Sequence, residues 1–230
     1  MIKVLLWDID GTILDFKAAE KVAIKNCFKK FGLIECSDDM VAEYSAINVK
    51  YWEMLESGEL TKPEILVGRF REFFGKHDID ISLAEPFNAE YQVRLGDTIC
   101  YKGGAPNILK KYEGRLLQCA VTNGTVIAQR RKLSASGLDK LFDHIFISEE
   151  IGYEKPSVGF FGEVMKVIGE YDRSEIMIVG DSLTSDIRGG NNAGLITCWY
   201  NPDYAKNDRG VSVDHEIHDL MEVDSIVGIM

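Results

Sequence analysis

Asp8 and Asp10 stand two positions apart at the end of an apolar run, and Gly11 and Thr12 follow them directly. Alternate residues of an extended strand point to the same side, so both carboxylates can face one ligand. Two neighbouring carboxylates repel each other unless a cation or a shared proton relieves the repulsion. The pattern therefore indicates a metal or proton-transfer site. The alternative, on this stretch alone, is a loop turn in which both side chains only accept backbone hydrogen bonds.

Three later segments also place polar or charged groups beside apolar runs or before a helix start. They are Thr122-Asn123-Gly124, Glu154-Lys155-Pro156, and Gly180-Asp181 with Asp186 five residues further on. Taken singly, Thr122 could be a helix cap, Lys155 a solvated surface charge and Asp186 an exposed acid. Open α/β sheets bind ligands at the carboxyl ends of their strands, where all four segments are expected to meet. Together they supply the groups needed to bind a phosphoryl group with Mg2+ and attack it with a carboxylate.

The elements that must position these groups follow from the hydrophobic pattern. Short apolar runs, most of them without period-two alternation, predict strands buried on both faces of a parallel sheet. The runs are Lys3–Ile9, Leu116–Val121, His144–Ser148, Glu175–Val179 and Leu195–Tyr200. Helices are predicted at Ala105–Tyr112, Thr125–Ser136, Pro156–Glu170 and Ser185–Ala193, and a C-terminal helix around His215–Val223 is predicted to cover the sheet. This alternation predicts an α/β fold with a Rossmann-like open parallel sheet.

Residues 16–97 interrupt the alternation with about eighty residues of helical pattern. One helix start is predicted at Thr61, because Thr61 can cap the helix, Pro63 is tolerated in a first turn, and Glu64 can close a capping box. We therefore predict two domains. Residues 1–15 and 98–230 form the sheet-containing core, and residues 16–97 form an inserted helical domain.

Composition excludes several classes of function. The 230 residues include 26 basic and 37 acidic side chains, a net charge of −11, which argues against nucleic-acid polymers and anionic membranes as partners. A small anionic substrate remains compatible, because a metal and one lysine can reverse the sign locally. No apolar run is long enough for a membrane-spanning helix. Five cysteines without CxxC spacing favour reduced thiols and a cytoplasmic protein, which we expect to be a monomer or a homodimer.

The order of the four segments resembles the motifs of the haloacid dehalogenase-like (HAD) hydrolase superfamily. The match spans the whole chain, and the helical insertion after the first motif resembles the cap of one branch of that superfamily. Further stretches are similar to the pyrimidine 5'-nucleotidase subgroup, although related phosphatases share parts of them. They are Ala46-Ile47-Asn48 with Tyr51-Trp52, Gly68-Arg69-Phe70, Ile147-Ser148-Glu149-Glu150-Ile151-Gly152, and Asn192-Ala193-Gly194-Leu195-Ile196-Thr197-Cys198-Trp199.

This resemblance implies a phosphomonoester hydrolase, a 5'-nucleotidase for pyrimidine nucleoside monophosphates, that works through an aspartyl phosphate. Asp8 would be the nucleophile, and Asp10 would protonate the leaving alcohol and then activate water. Asp10 needs a raised pKa for that role, and burial beside Asp8 would raise it. The resemblance further implies that Mg2+ is held by the carboxylates of Asp8 and Asp181 and the backbone carbonyl of Asp10, with Asp186 just behind. It implies that Thr122, Asn123 and Lys155 bind the phosphoryl oxygens.

Other functions remain as alternatives. A sugar-phosphate phosphatase and a phosphomutase of the same superfamily would keep all four motifs, whereas a dehalogenase of that branch lacks an acid at the position of Asp10. A mutase would shield its intermediate from water, and nothing legible in the insertion indicates such a shield. A signalling receiver domain needs about half this length, and a non-catalytic descendant could have lost any of these acids. Within the insertion, five residues could contact a nucleotide base or simply pack in a helical core: Tyr44, Asn48, Tyr51, Trp52 and Arg69.

Overall fold

A six-stranded parallel sheet lies at the centre of the computed structural model, which describes residues 1–228. The strands are β1 (Val4–Trp7), β2 (Leu117–Thr122), β3 (His144–Ile147), β4 (Ile176–Gly180), β5 (Ile196–Tyr200) and β6 (His215–Ile217). Their order across the sheet is β3-β2-β1-β4-β5-β6, and every neighbouring pair is parallel. The predicted α/β fold with a Rossmann-like sheet is confirmed, and β1, which leads into Asp8, lies between β2 and β4.

The apolar run of β1 is continuous because both faces of the sheet are covered. Leu5 and Trp7 are fully buried in one cluster with the side chains of the helix at 105–112. Val4 and Leu6 are fully buried in a second cluster on the opposite face, with side chains of the helix at 158–168. A strand enclosed in this way has no solvent face, so its sequence shows no polar alternation.

Four of the core helices fall close to their predicted positions: α5 (Ala105–Tyr112), α6 (Val126–Ser136), α8 (Val158–Ile168) and α9 (Arg188–Ala193). Two short helices, α7 (Ser148–Ile151) and α10 (Val223–Val227), were not predicted. The helix predicted from Pro156 begins two residues later, because Ser157 is its cap and accepts a hydrogen bond from the backbone of Gly159. The stretch predicted as one helix from Ser185 starts as a π-helical turn at Leu183–Ile187 and continues into α9.

The helix predicted over His215–Val223 is wrong. His215–Ile217 instead forms β6 at the edge of the sheet, paired with β5, and a 3-10 turn at Leu220–Glu222 precedes α10. A three-residue strand is too short to show a period of two. Its conformation depends on pairing with β5, which no local pattern reveals.

Four helices fill the segment between β1 and α5. They are α1 (Phe16–Lys30), α2 (Asp38–Glu56), α3 (Lys62–Lys76) and α4 (Ala84–Asp97). The predicted start of α3 is confirmed, because Glu64 accepts a hydrogen bond from the backbone N–H of Thr61 at 2.8 Å. The four helices share an aromatic core of their own, in which Tyr44 stacks on Phe70 with ring centroids 5.0 Å apart. The domain limits of 1–15 with 98–230 and of 16–97 stay a prediction.

Two further predictions concern the chain as a whole. Among residues 1–228, no helix combines the length and the apolar character that a membrane crossing requires. All five cysteines are free thiols, and four of them are buried. The cytoplasmic location and the oligomeric state stay predictions.

Candidate active site

The four sequence segments meet at the carboxyl edge of the sheet. Asp8 follows β1, Thr122 ends β2, Asp181 follows β4, and Lys155 lies in the loop between α7 and α8. All the residues predicted for the site line one cavity of about 330 Å3: Asp8, Asp10, Thr122, Asn123, Lys155, Asp181 and Asp186. The shared edge follows from the parallel arrangement, in which all strands end on the same side of the sheet.

Lys155 is the positive centre of this cavity. Its side chain is 1 % exposed, and its ammonium donates to Asp8 Oδ1 at 2.8 Å, to Asp186 Oδ1 at 2.6 Å and to the carbonyl of Val121 at 2.9 Å. Burial disfavours the charged amine, but the two carboxylates outweigh it and raise the pKa of Lys155 above its usual value. Lys155 is therefore a permanent cation beside Asp8.

Three carboxylates surround the same space. Asp8, Asp181 and Asp186 each place one oxygen within 4.8 Å of the other two. Burial, and then the nearby charge of Asp186, raise the pKa of Asp8 well above its usual range, although Lys155 acts in the opposite direction. Asp181 opens onto the cavity but is surrounded by protein on its other sides, and this desolvation together with Asp186 raises its pKa to about 7. The three carboxylates thus share a single cation, Lys155, and their negative charge exceeds its positive charge.

A divalent cation fits this donor set. Asp8 Oδ2 is buried and has no hydrogen-bond partner among the described residues. A hard cation such as Mg2+ prefers carboxylate and carbonyl oxygens, and its charge would satisfy Oδ2 and offset the repulsion among the three acids. Asp8 and Asp181 are the carboxylates that could bind it. Asp186 is buried and tied to Lys155 and to the backbone N–H of Ser182 at 3.1 Å, so it lies behind them.

Gly11 is required by the close approach of Asp181. Its φ is +109°, and a β-carbon at this position would lie 2.3 Å from Asp181 Oδ2. The next residue, Thr12, donates from its hydroxyl to Asp181 Oδ1 at 3.2 Å. The turn after Asp10 therefore holds the carboxylate that follows β4.

Asn123 has a different contact from the one that the resemblance implied. Its side-chain amide donates to the carbonyl of Lys155 and accepts from the backbone N–H of Lys155, both at 2.8 Å. Thr122 Oγ1 accepts from the backbone N–H of Gly124 at 3.1 Å. The Asn123 side chain thus fixes the loop that carries Lys155. Phosphoryl binding by Thr122, Asn123 and Lys155 stays a prediction.

Asp10 differs most from expectation. Burial beside Asp8 was expected, but the Asp10 side chain is 21 % exposed and turns toward α6. There its Oδ1 accepts from the ammonium of Lys132 at 2.5 Å and its Oδ2 accepts from the amide of Gln129 at 2.5 Å. A carboxylate gains more from a cation and a second donor than from lying against another carboxylate.

Gln129 and Lys132 are functional candidates that the sequence analysis did not single out. Both side chains are almost fully buried, Gln129 at 1 % exposure and Lys132 at 2 %. A signal was present, because Ala128, Gln129, Lys132 and Leu133 fall on one face of a helix, where two polar residues interrupt an apolar surface. Polar groups on a buried helix face need partners, and a partner had to be sought outside the helix.

The five candidate residues of the insertion divide into two groups. Tyr44 is fully buried among the aromatic side chains of the helical core, and Tyr51 lies against Gly68. Asn48 and Trp52 line the cavity instead. Arg69 is buried and donates to Asn48 Oδ1 at 2.5 Å, so it contacts a cavity-lining residue without lining that cavity itself.

Glu56 is a further acid at the cavity that the sequence analysis did not name. It ends α2, and its Oε2 is buried without a hydrogen-bond partner among the described residues. Burial raises the pKa of Glu56 to about 7. Its carboxyl group therefore gains or loses a proton close to neutral pH.

Comparison with known proteins shows which family this chain resembles in sequence and in fold. Residues 2–194 match the family model of the haloacid dehalogenase-like hydrolases. The chain is 35 % identical to the HAD-hydrolase YfnB of Bacillus subtilis, over 99 % of this chain and 96 % of YfnB. It is 34 % identical to the pyrimidine 5'-nucleotidase PynA of Streptococcus pneumoniae, over 96 % of this chain and 93 % of PynA. A crystal structure of YfnB bound to magnesium, described as revealing interdomain movement, superimposes with a TM-score of 0.93 and 34 % identity over 99 % of both chains.

The chain belongs to the haloacid dehalogenase-like hydrolases. It is therefore an enzyme and a hydrolase, and the predicted resemblance to the pyrimidine 5'-nucleotidase subgroup is confirmed by its relatives.

Proposed function

We propose that this protein is a Mg2+-dependent phosphomonoester hydrolase that forms an aspartyl phosphate on Asp8 and acts on pyrimidine nucleoside 5'-monophosphates. The observation that carries the proposal is the placement of Asp8. One of its carboxylate oxygens is bound by Lys155 at 2.8 Å, and the other is buried beside Asp181 with no hydrogen-bond partner among residues 1–228. A nucleophilic carboxylate must be held as an anion in a fixed orientation, and a cation on one oxygen with room for a metal at the other would do both.

In the first step, a carboxylate oxygen of Asp8 attacks phosphorus, and the bond from phosphorus to the leaving alcohol breaks. Asp10 supplies the proton that the alcohol oxygen takes up. In the second step, water attacks phosphorus of the aspartyl phosphate while Asp10 accepts a proton from it, and the bond to Asp8 breaks. Phosphate leaves, and Asp8 is a carboxylate again.

The charges around Asp8 explain how an anionic substrate is tolerated. Lys155 neutralises negative charge on the phosphoryl oxygens and fixes Asp8, and Asp186 holds Lys155 in place through the 2.6 Å ion pair. Mg2+, held by Asp8, Asp181 and the backbone carbonyl of Asp10, would supply further positive charge at the phosphoryl group. Asn123 keeps the backbone of Lys155 in register with the end of β2.

Substrate specificity is assigned to α2. The cavity of about 330 Å3 extends from Asp8 to Trp52 and Asn48, and this volume is at the lower end of the range typical of small-molecule sites. An indole can stack on a flat base, and an amide can hydrogen-bond to the polar edge of a pyrimidine. The 34 % identity to PynA, a pyrimidine 5'-nucleotidase, supports pyrimidine nucleotides as the substrates.

The central experiment is Asp8→Asn, with phosphate release measured in the presence of Mg2+. The amide is a poor nucleophile, so we expect release from every phosphomonoester to fall below detection. The exposed Asp139→Asn serves as the matched control and should retain full activity. Full activity of the Asp8→Asn protein would refute covalent catalysis by this side chain.

A substrate panel tests the leaving group. UMP and CMP are expected to exceed AMP and hexose phosphates in kcat/KM. A panel dominated by sugar phosphates would instead establish the sugar-phosphate phosphatase, and transfer of the phosphoryl group to a second sugar hydroxyl in place of water would establish the mutase.

A further inference from the structure

Asp10 is bound by two donors from a single helix. Lys132 and Gln129 are three residues apart on α6, and each donates to a different oxygen of Asp10 at 2.5 Å. Both donors are almost completely buried, whereas Asp10 itself keeps 21 % of its side chain exposed and lines the catalytic cavity. The donors therefore lie behind Asp10, on the side away from the substrate.

We infer that Lys132 and Gln129 are positioning residues that set the orientation of Asp10 for proton transfer to the leaving group. This inference rests on the proposed function, because it concerns the acid of that reaction. Neither residue lines the cavity that contains Asp8, so both act through Asp10. Proton transfer requires a donor within hydrogen-bond reach of the leaving oxygen, and two anchored bonds restrict the Asp10 side chain to one orientation.

The position of α6 connects this orientation to the phosphoryl group. The helix begins at Val126, immediately after the segment Thr122–Thr125, and Thr125 caps it by accepting from the backbone N–H of Ala128. Thr125 also donates to Gln92 of α4 at 2.7 Å, which fastens the start of α6 to the inserted helices. The segment that carries Thr122 and Asn123 thus leads directly into the helix whose side chains hold Asp10.

The two bonds differ in strength. Lys132 is a nearly buried cation that forms an ion pair with Asp10, whereas Gln129 is a neutral donor to the same carboxylate. Exchange of the Gln129 bond for a bond to the leaving oxygen therefore costs less than exchange of the Lys132 bond. We expect Lys132 to keep Oδ1 in place while Oδ2 handles the proton. Loss of Lys132 should be more damaging than loss of Gln129.

The dependence of kcat/KM on the leaving group shows whether Lys132 and Gln129 position Asp10 or only support the fold. Phenyl phosphate and p-nitrophenyl phosphate have nearly the same size, but p-nitrophenolate leaves without help from an acid, whereas phenolate needs it. The quantity to measure is kcat/KM, which reports only the steps up to the first departure of the leaving group. Neither substrate carries a nucleoside, so the result does not depend on which nucleotide the enzyme prefers.

We expect Lys132→Met to lower kcat/KM for phenyl phosphate by about 30-fold, within the roughly 100-fold or greater contribution of an acid catalyst, and to change that for p-nitrophenyl phosphate less than about threefold. Gln129→Leu should show the same selectivity with a smaller loss. Lys132→Arg should restore most of the activity, because it keeps the cation. Arg130→Met removes an exposed cation of the same helix that pairs with Glu150, and it should leave both substrates unaffected.

A double-mutant cycle with Asp10→Asn completes the test. If Lys132 acts only through Asp10, adding Lys132→Met to Asp10→Asn causes no further loss on either substrate. Equal losses on both substrates, or a full additional loss in the Asp10→Asn background, would overturn the inference. Failure of the proposed function would look different, because the unmodified protein would then release no phosphate from either compound. Circular dichroism of each variant checks that it is folded. If Lys132→Met does not fold, Lys132→Arg and Gln129→Leu still test the inference on the same two substrates.

Discussion

At the scale of single residues, the site is a balance between three acids and one buried cation. Lys155 compensates Asp8 and Asp186 directly, but it leaves Asp181 without a cationic partner and Asp8 Oδ2 without a hydrogen bond among the described residues. The pKa of Asp8 is consequently raised by burial and by Asp186, and that of Asp181 is about 7. A dication that binds among these carboxylates lowers the free energy of the site, because it offsets their mutual repulsion. Activity should therefore be lost on chelation and return with Mg2+.

Gly11→Ala tests how closely the turn must approach Asp181. The new β-carbon would collide with the Asp181 carboxylate at 2.3 Å and would also strain a residue whose φ is +109°. We expect Mg2+-dependent phosphatase activity to fall at least about tenfold, because displacing a metal-binding group or its support costs this much. Activity is measured against Mg2+ concentration.

The matched control for that experiment is Gly114→Ala. Gly114 also has a positive φ, +68°, but a β-carbon there meets no atom of the described part of the chain within 4 Å. The control therefore also places a side chain at a positive φ but without the collision, and it should keep its activity while losing some stability. Equal activity losses in both variants would show that backbone strain, not the contact with Asp181, is responsible.

At the scale of elements, a chain of buried and partly buried hydrogen bonds joins the inserted helices to the core. It connects residues of α2, α3 and α4 to the cap of α6, in the order Asn48, Arg69, Asn88, Gln92 and Thr125. Polar groups buried in this way are costly unless every partner is present, so the chain fixes how α2 lies over the cavity. The same helices thus hold the expected specificity residues and the start of α6.

Trp52→Ala tests α2 as the specificity element. If the indole stacks on the base, KM for UMP should rise about tenfold, in line with the roughly 1–3 kcal/mol that an aromatic side chain contributes per stacked base. The kcat for p-nitrophenyl phosphate should stay within about twofold, because the phosphoryl site is untouched. Lys50→Met alters an exposed side chain on the same helix and should change neither value. A parallel loss on both substrates would indicate that Trp52 supports the fold of the cap instead.

At the scale of the whole molecule, three acids that line the cavity make stability depend on pH. The pKa values of Asp8, Asp181 and Glu56 are raised in the folded protein, the latter two to about 7. A raised carboxyl pKa means that the folded state binds more protons than the unfolded state between about pH 4 and 7. The contribution of these groups to stability is therefore present at low pH and is lost as the pH rises through 7.

Thermal unfolding at two pH values checks this sign. Without metal, the Tm at pH 8 should lie at least about 3 °C below that at pH 5, a difference that corresponds to about 1 kcal/mol for a chain of this size. Mg2+ should raise the Tm more at pH 8 than at pH 5, because it replaces the missing protons as counter-charge. Asp181→Asn should reduce both effects. A Tm that rises from pH 5 to pH 8 in the metal-free protein would contradict this account.

Much of the fold could be predicted because its signals are local. The runs of β1, β2, β4 and β5 are apolar in themselves, and Thr61 and Glu64 carry their capping box within four residues. The sixth strand could not be predicted, since His215–Ile217 is extended only through its pairing with β5. The contacts of Asp10 could not be predicted either, because the donors to this carboxylate are more than 110 residues away in the chain.

By itself, the sequence determined the four polar segments, their order, and their position at the ends of apolar runs, since each is written in consecutive residues. Parallel strands then bring such ends to one edge whatever the details of packing. Only the tertiary structure decided which groups pair there: Lys155 with Asp8 and Asp186, Asn123 with the backbone of Lys155, and Asp10 with Lys132 and Gln129. Those pairings depend on distances of a few ångströms between remote parts of the chain. Such distances are set by how helices pack on the sheet and not by any local preference.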